Sequence, residues 1–309
     1  MSQIILHHYP TSPYSEKMRN ILGFKQLPWA SVITPFMLPK PDLMPLTGGY
    51  RKAPVMQIGR DVICDTALMA RVIERLHPAP ALIPKGQELS CEAFAVLEQT
   101  FFFGAVSTNF QPEGLQAFAE RLGAEHLQKF AADRAALFTG GTAQRPGKEY
   151  SDTHYLPLAA ALDAQLAHQP FLLGSAATLA DFVCYHPVWF VLANRGVAGR
   201  LAGFANLLAW FERIKGMGHG MPALISAEDA LAISRSSTET LEFDGPLLLP
   251  AGVKLGDAVR VQATDYGCDP VPGTLVHASA IEIVIARKDE RAGDIHLHVP
   301  RHGFSVTAA

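Results

Sequence analysis

Residues 3–9, QIILHHY, are an apolar run of strand length, and residues 14–25, YSEKMRNILGFK, set Met18, Ile21 and Leu22 at helical spacing. The chain therefore opens strand, turn, helix. Between residues 28 and 45, Pro28, Pro35, Pro39, Pro41 and Pro45 leave room for a short strand over Ala30–Thr34 and one helical turn. PVMQIG and RDVICD then read as a hairpin across Gly59-Arg60-Asp61, and TALMARVIERL as a helix stopped at His77-Pro78. The expected order over residues 1–77 is β-α-β-(turn)-β-β-α, followed by the linker HPAPALIPKG.

The pattern changes after the linker. Residues 90–232 carry long helical periods, such as CEAFAVLEQTFFFGAV, LQAFAERLGAEHLQKFAADRAALF and YLPLAAALDAQLA, with no strand pattern, and predict an all-helical domain. Within it Thr178 and Asp181 are spaced as a capping box ahead of an apolar helix, which gives them a structural task. Residues 240–309 alternate apolar and polar positions between Gly and Asp and predict a small β-rich extension, a barrel or a meander. The fold class expected is α+β multidomain.

Length agrees with that division, since 309 residues fit two to three domains. A net charge of -3 gives no basic excess to favour nucleic acid or an anionic membrane. No run reaches the roughly 18 apolar residues of a membrane span, and the start MSQIILHHYP lacks the layout of a signal peptide. Cys64, Cys91, Cys184 and Cys268 are too scattered for a zinc site or a disulfide framework, so a reducing cytoplasm is expected.

Candidate chemistry begins at Ser12-Pro13-Tyr14-Ser15, which has serines where thioredoxin-type redox proteins carry Cys-x-x-Cys. A hydroxyl cannot form a mixed disulfide, so dithiol exchange is excluded. Ser12 can cap the following helix, or hold a bound thiol as its thiolate with help from the helix terminus. Lowering a thiol pKa by about two units takes roughly 2.7 kcal/mol, within reach of those two effects. Ser12 as a covalent nucleophile would need a base, and a strand sends His7 and His8 to opposite faces. Pro54, at the mouth of a strand, suits a cis bond that leaves the backbone of Ala53 open to a peptide-like ligand. Asp65 and Thr66 open the next helix, where they serve as a cap or as a pocket for an amino-acid end.

Together YPTSPYSEKMR, RKAPVMQIG and ICDTALMARVIE, followed by a helical domain with TLADF, resemble the cytosolic glutathione transferase family in its serine and cysteine classes, such as tau, zeta and omega. The resemblance covers about residues 3–232 and implies a thioredoxin-like first domain. It implies that Ser12 holds the glutathione thiolate, Ala53 contacts the cysteinyl unit, and Asp65 with Thr66 receives the γ-glutamyl end. Lys52 and Lys40 are its candidates for the glycine carboxylate, ahead of Arg51. The helix bearing Phe101, Phe102, Phe103 and Phe110 would partly form an electrophile site, although an aromatic run also suits a core.

The resemblance implies a cytosolic homodimer that uses glutathione as cosubstrate, without a metal, on a small apolar electrophile. A zeta-like isomerase and a non-catalytic binding protein of the same fold are the alternatives; omega-like thiol transfer would need a cysteine at position 12. The tail stands outside the resemblance. His296, His298 and His302, with Cys268 and Asp269, are of metal-ligating types, but IHLHV reads as a half-exposed strand carrying His296 and His298 on one face. No metal site is expected there, and the tail is left to cover the cleft, extend a dimer contact or bind a partner.

Overall fold

A computed structural model describes residues 3–309, the side chain of Ala124 apart. Strand β1 (Ile4–His8) runs parallel to β2 (Pro28–Ile33) and antiparallel to β3 (Val55–Ile58), which pairs with β4 (Asp61–Cys64). Helix α1 (Pro13–Phe24) follows β1, a single helical turn α2 (Met44–Thr47) lies in the Pro-rich stretch, and α3 (Thr66–Leu76) follows β4. Alternation along the strands splits their apolar side chains between two faces. Ile4, Leu6, Met56, Ile58 and Ile63 join Met18, Ile21 and Met69 in one core. Ile5, Ala30 and Val32, and likewise Val55, Val62 and Cys64, face the other way.

The first of these cores is continuous with the helical layer. Helices α4 (Glu88–Asn109), α5 (Pro112–Leu122), α6 (Ala124–Leu137), α7 (Leu156–Leu166), α8 (Leu179–Leu192) and α9 (Ala205–Lys215) make up this layer. The periodic run over 115–138 breaks into α5 and α6 at Gly123, whose φ is +83°. The Thr178–Asp181 capping box forms, and buried Asp181 also accepts from Leu172 N and from Trp210 Nε1. Among the described residues, α4 alone is long and apolar enough to cross a membrane, and it packs along α8.

The chain then returns to the sheet. Strand β5 (Met221–Leu224) pairs in parallel with β2, within a stretch whose pattern predicted only helix. Four residues, one of them proline, are too few to display alternation. Helix α10 (Ala227–Ser236) covers the second face through Ala230 and Ile233 against Ile5, Ala30 and Val32.

Strands β6 (Ala258–Ala263), β7 (Val271–Ala278), β8 (Glu282–Asp289), β9 (Gly293–Pro300) and β10 (Phe304–Ala308) continue the same sheet, whose order is β10-β6-β7-β8-β9-β4-β3-β1-β2-β5. The tail is added to the edge of β4, and it curls so that the three-residue connection after β9 brings β10 round to pair with β6. It shares a core with the first region: Leu43, Leu46, Tyr50 and Val62 pack with Leu275, Ile285, Ile295 and Leu297. Arg287 donates to the carbonyls of Pro45 and Leu46, and Arg291 binds Asp42. The Pro-rich stretch is irregular because it is shaped to this neighbour.

One expectation for the tail is corrected. His298 is not half-exposed but buried between two carboxylates, donating from Nδ1 to Glu282 at 2.8 Å and from Nε2 to Asp61 at 2.9 Å, while His296 lies 3.5 Å from Asp61. The segment before β6 closes over that face: Phe243 lies 5.9 Å from the His298 ring, Leu241 N donates to Asp61 and Asp244 N to Glu282. Burial opposes a charge on His298, but the hydrogen bonds and charges of Asp61 and Glu282 raise its pKa above the ordinary 6.5. Burial likewise opposes ionisation of both carboxyls, and the histidines bring them below the usual range.

The stabilisation from His298 is therefore complete below pH 6.5 and disappears as pH rises through its raised value. The carboxylate contribution is lost in acid. His298→Leu should leave two buried carboxylates facing each other and cost about 3–5 kcal/mol in urea unfolding. Urea unfolding of the wild type should show a decline in stability from neutral into alkaline pH, and the same variant should lose it.

Candidate functional site

Strand register gathers the candidate residues. His7 pairs with Val55 and Val55 with Cys64, so the loop after β1, the segment before β3 and the turn after β4 leave the sheet at one edge. Ser12, the cis Ala53–Pro54 bond and Asp65 follow directly from those strand ends.

Ser12 caps α1: it is buried, and its Oγ accepts from Ser15 N at 3.1 Å. Its side chain also meets the phenol of Tyr9. Neither nearby histidine serves it as a base. His7 Nε2 is bonded to Gln57, and His8 lies between Ser31 and Arg19. Burial lowers both, His7 to about 4 and His8, with Arg19 adding to the effect, to about 3.

Asp65 caps α3 through a 2.9 Å bond from Ala67 N, from a backbone φ of +74°. An aspartate held in a region that favours glycine is strained, and such strain concentrates at working sites. Thr66 Oγ1 accepts from Lys17 Nζ at 3.1 Å. Lys17 has no exposed surface and also donates to Glu98 of α4 at 2.7 and 2.9 Å, and Glu98 binds His186 of α8 at 2.6 Å. Burial alone would raise the Glu98 carboxyl, but Lys17 and His186 hold it at about 2.

The candidate cations divide. Lys40 is buried, donates to the carbonyl of Arg51 at 2.8 Å and lies 5.9 Å from the centre of the Tyr9 ring. Burial, with the Arg134 charge, lowers its pKa to about 8. Arg51 is paired with Asp133 of α6. Lys52 faces the extension, 3.1 Å from the Asp265 carboxylate and 4.4 Å from the centre of the Tyr266 ring.

The phenylalanine run divides too. Phe101 stacks on Tyr155 in the core at 5.0 Å, whereas Phe102 lies 4.6 Å from the ring of Tyr14 and Phe103 lies 6.1 Å from that of Tyr266. Phe110 ends α4. No group of three or more His, Cys, Asp or Glu among the described residues is arranged to hold a metal ion.

Sequence reasoning missed Lys17, Glu98, His186, Tyr14, Asp265 and Tyr266. A signal for Lys17 was available, because it lies one turn before Ile21 on the apolar face of α1. Glu98 contributes stability above the ordinary carboxyl value of 4.5, and that contribution is lost as pH falls through about 2. Lys17→Met should strand that carboxylate and cost about 3–5 kcal/mol, of which Lys17→Met/Glu98→Gln should recover a large part, both read by urea unfolding.

The sequence profile of the glutathione S-transferase N-terminal domain matches residues 6–81, and that of the C-terminal domain matches residues 152–213. Among solved structures, a GST-like protein from Pseudomonas syringae is 36% identical over 100% of both chains, with a TM-score of 0.83. A glutathione transferase from Populus trichocarpa is 15% identical, over 69% of this chain and 93% of its own, with a TM-score of 0.50. The beta-etherase LigF from Sphingobium sp. strain SYK-6 is 16% identical, over 69% and 95%, also at 0.50. These last two are alike in fold alone. None of the curated protein sequences matches the chain.

Proposed function

Because the chain belongs to the glutathione S-transferase family, whose general function is glutathione-related transfer, we propose that it activates the glutathione thiol at Ser12 for attack on a small apolar electrophile. The observation that supports this is the emergence at one sheet edge of Ser12 on the α1 terminus, a cis peptide before Pro54, and Asp65 at positive φ. Ser12 Oγ accepts from Ser15 N, and in this reading its own hydrogen turns to the sulfur. The helix terminus adds positive potential. The thiol proton leaves to solvent, sulfur forms its bond to the electrophilic carbon, and the departing group carries away the electron pair of the bond that breaks.

The other residues bind. Ala53 offers its backbone to the cysteinyl unit, and Asp65 takes the γ-glutamyl ammonium. Thr66 keeps its hydrogen for the carboxylate, since its oxygen accepts from Lys17. Lys52 suits the glycine carboxylate better than Lys40, which is committed to the carbonyl of Arg51. Exposed Leu89 and Val96, seven residues apart on α4, support a homodimer through that helix, which sedimentation would test. The protein would work in the cytoplasm, where its cysteines stay thiols. A binding protein without turnover is the second reading, favoured by the engagement of Lys52 with its own chain.

Calorimetric titration with reduced glutathione tests the pocket. Asp65→Ala should weaken binding, whereas Ser12→Ala should raise the pKa of the bound thiol and slow conjugation at neutral pH by about 10- to 100-fold, in proportion to the thiolate lost. Full conjugation rates in Ser12→Ala would remove its assigned role. Binding without turnover on any electrophile would favour the second reading.

A further inference from the structure

The connection between β6 and β7 reaches across to the candidate site. Asp265 sets its carboxylate 3.1 Å from Lys52, and Gln99 of α4 approaches its other oxygen at 3.4 Å. Tyr266 stacks on Phe138 at 5.3 Å and 16°, faces Phe103, and lies under the Lys52 ammonium. Tyr14, two residues after Ser12, packs 4.6 Å from Phe102, the neighbour of the Phe103 that Tyr266 faces. An anion and a flat ring thus stand side by side between the first region and the helical layer.

These two groups are what the proposed reaction would bring to the same place. Glutathione would present a carboxylate to Lys52, and the electrophile would lie beside Tyr14 and the apolar face of α4. We propose that Asp265 and Tyr266 are a built-in occupant of the active site, standing in for the glycine carboxylate and for the electrophile, and that an aromatic electrophile is accommodated when this loop withdraws. The proposal rests on the glutathione reading above and goes beyond it in giving the tail a place in the site and in naming the electrophile class.

The loop is held by a small set of backbone hydrogen bonds that withdrawal would break. Its backbone is tied to the end of α6 by Gly267 N to Leu137 O at 2.6 Å, and to the segment after it by Thr142 N to Thr264 O at 3.0 Å and Ala143 N to Asp265 O at 2.9 Å. Gly267 and Gly140 both adopt positive φ, a conformation glycine takes without strain. A Cβ on Gly141 would stand 1.8 Å from the Asp265 carbonyl, so the close approach depends on glycine there. An occupied site binds ligand more weakly by the fraction of molecules in which it is open.

The experiment uses the whole protein with S-methylglutathione and S-benzylglutathione as probes. In the wild type, saturating S-benzylglutathione should strip hydrogen-exchange protection from the amides of Thr142, Ala143 and Gly267. Tyr266→Ala should bind S-benzylglutathione about tenfold more tightly with little change for S-methylglutathione, and Asp265→Asn should tighten both. Unchanged or increased protection in the saturated wild type, or weaker S-benzylglutathione binding by Tyr266→Ala, would show a fixed wall and overturn the proposal. Failure of the wild type and of Asp265→Asn/Tyr266→Ala to bind either probe at millimolar concentration would instead remove the glutathione reading, and the proposal with it.

Discussion

A parallel pairing of Asp61–Ile63 with His296–His298 joins the last strands of the chain to the first region, and much of the architecture depends on it. Without β9, strand β4 would be a sheet edge with unpaired backbone groups. With it, Val62 and Cys64 share a core with Leu275, Ile285 and Leu297. The buried Asp61–His298–Glu282 bridge crosses the same seam, so its polar groups are satisfied only when β4, β8 and β9 are all in place. The pairing also fixes where the β6–β7 connection falls, and so brings Lys52 and Asp265 together.

A second dependence runs through Lys17. Its ammonium links α1 to the start of α3 through Thr66, and to the helical layer through Glu98 and His186. A buried charge is costly alone and tolerated when paired, so this network ties the geometry around Ser12 and Thr66 to correct docking of α4 and α8. The site and the interface beneath it form together.

The sequence made the β-α-β-β-α core legible because its signals are local: apolar runs, a hairpin turn, and a proline after a helix. Ser12, Ala53, Asp65 and Thr66 were legible as a set because each adjoins a strand or helix end, and the strand register places those ends together. The positive φ of Asp65 was not, since backbone strain leaves no mark in residue type. Lys52 was found among candidate cations, but its partners lie in the tail, 213 and 214 residues away. His298 was misplaced for a similar reason. Alternation gives its face, but not that β4 brings Asp61 beside it or that Phe243, 55 residues earlier, packs over it.

The far side of the sheet ends at β5, where Met221, Pro222, Ala223 and Leu224 are all exposed. Met221 N and Ile225 N point inward to the carbonyls of Leu27 and Ser31, so position 222 has its nitrogen toward the open side. Proline there has no hydrogen to offer. An incoming strand from another molecule would meet a gap in the donor row, and the chain thereby discourages the open-ended sheet addition that leads to aggregates.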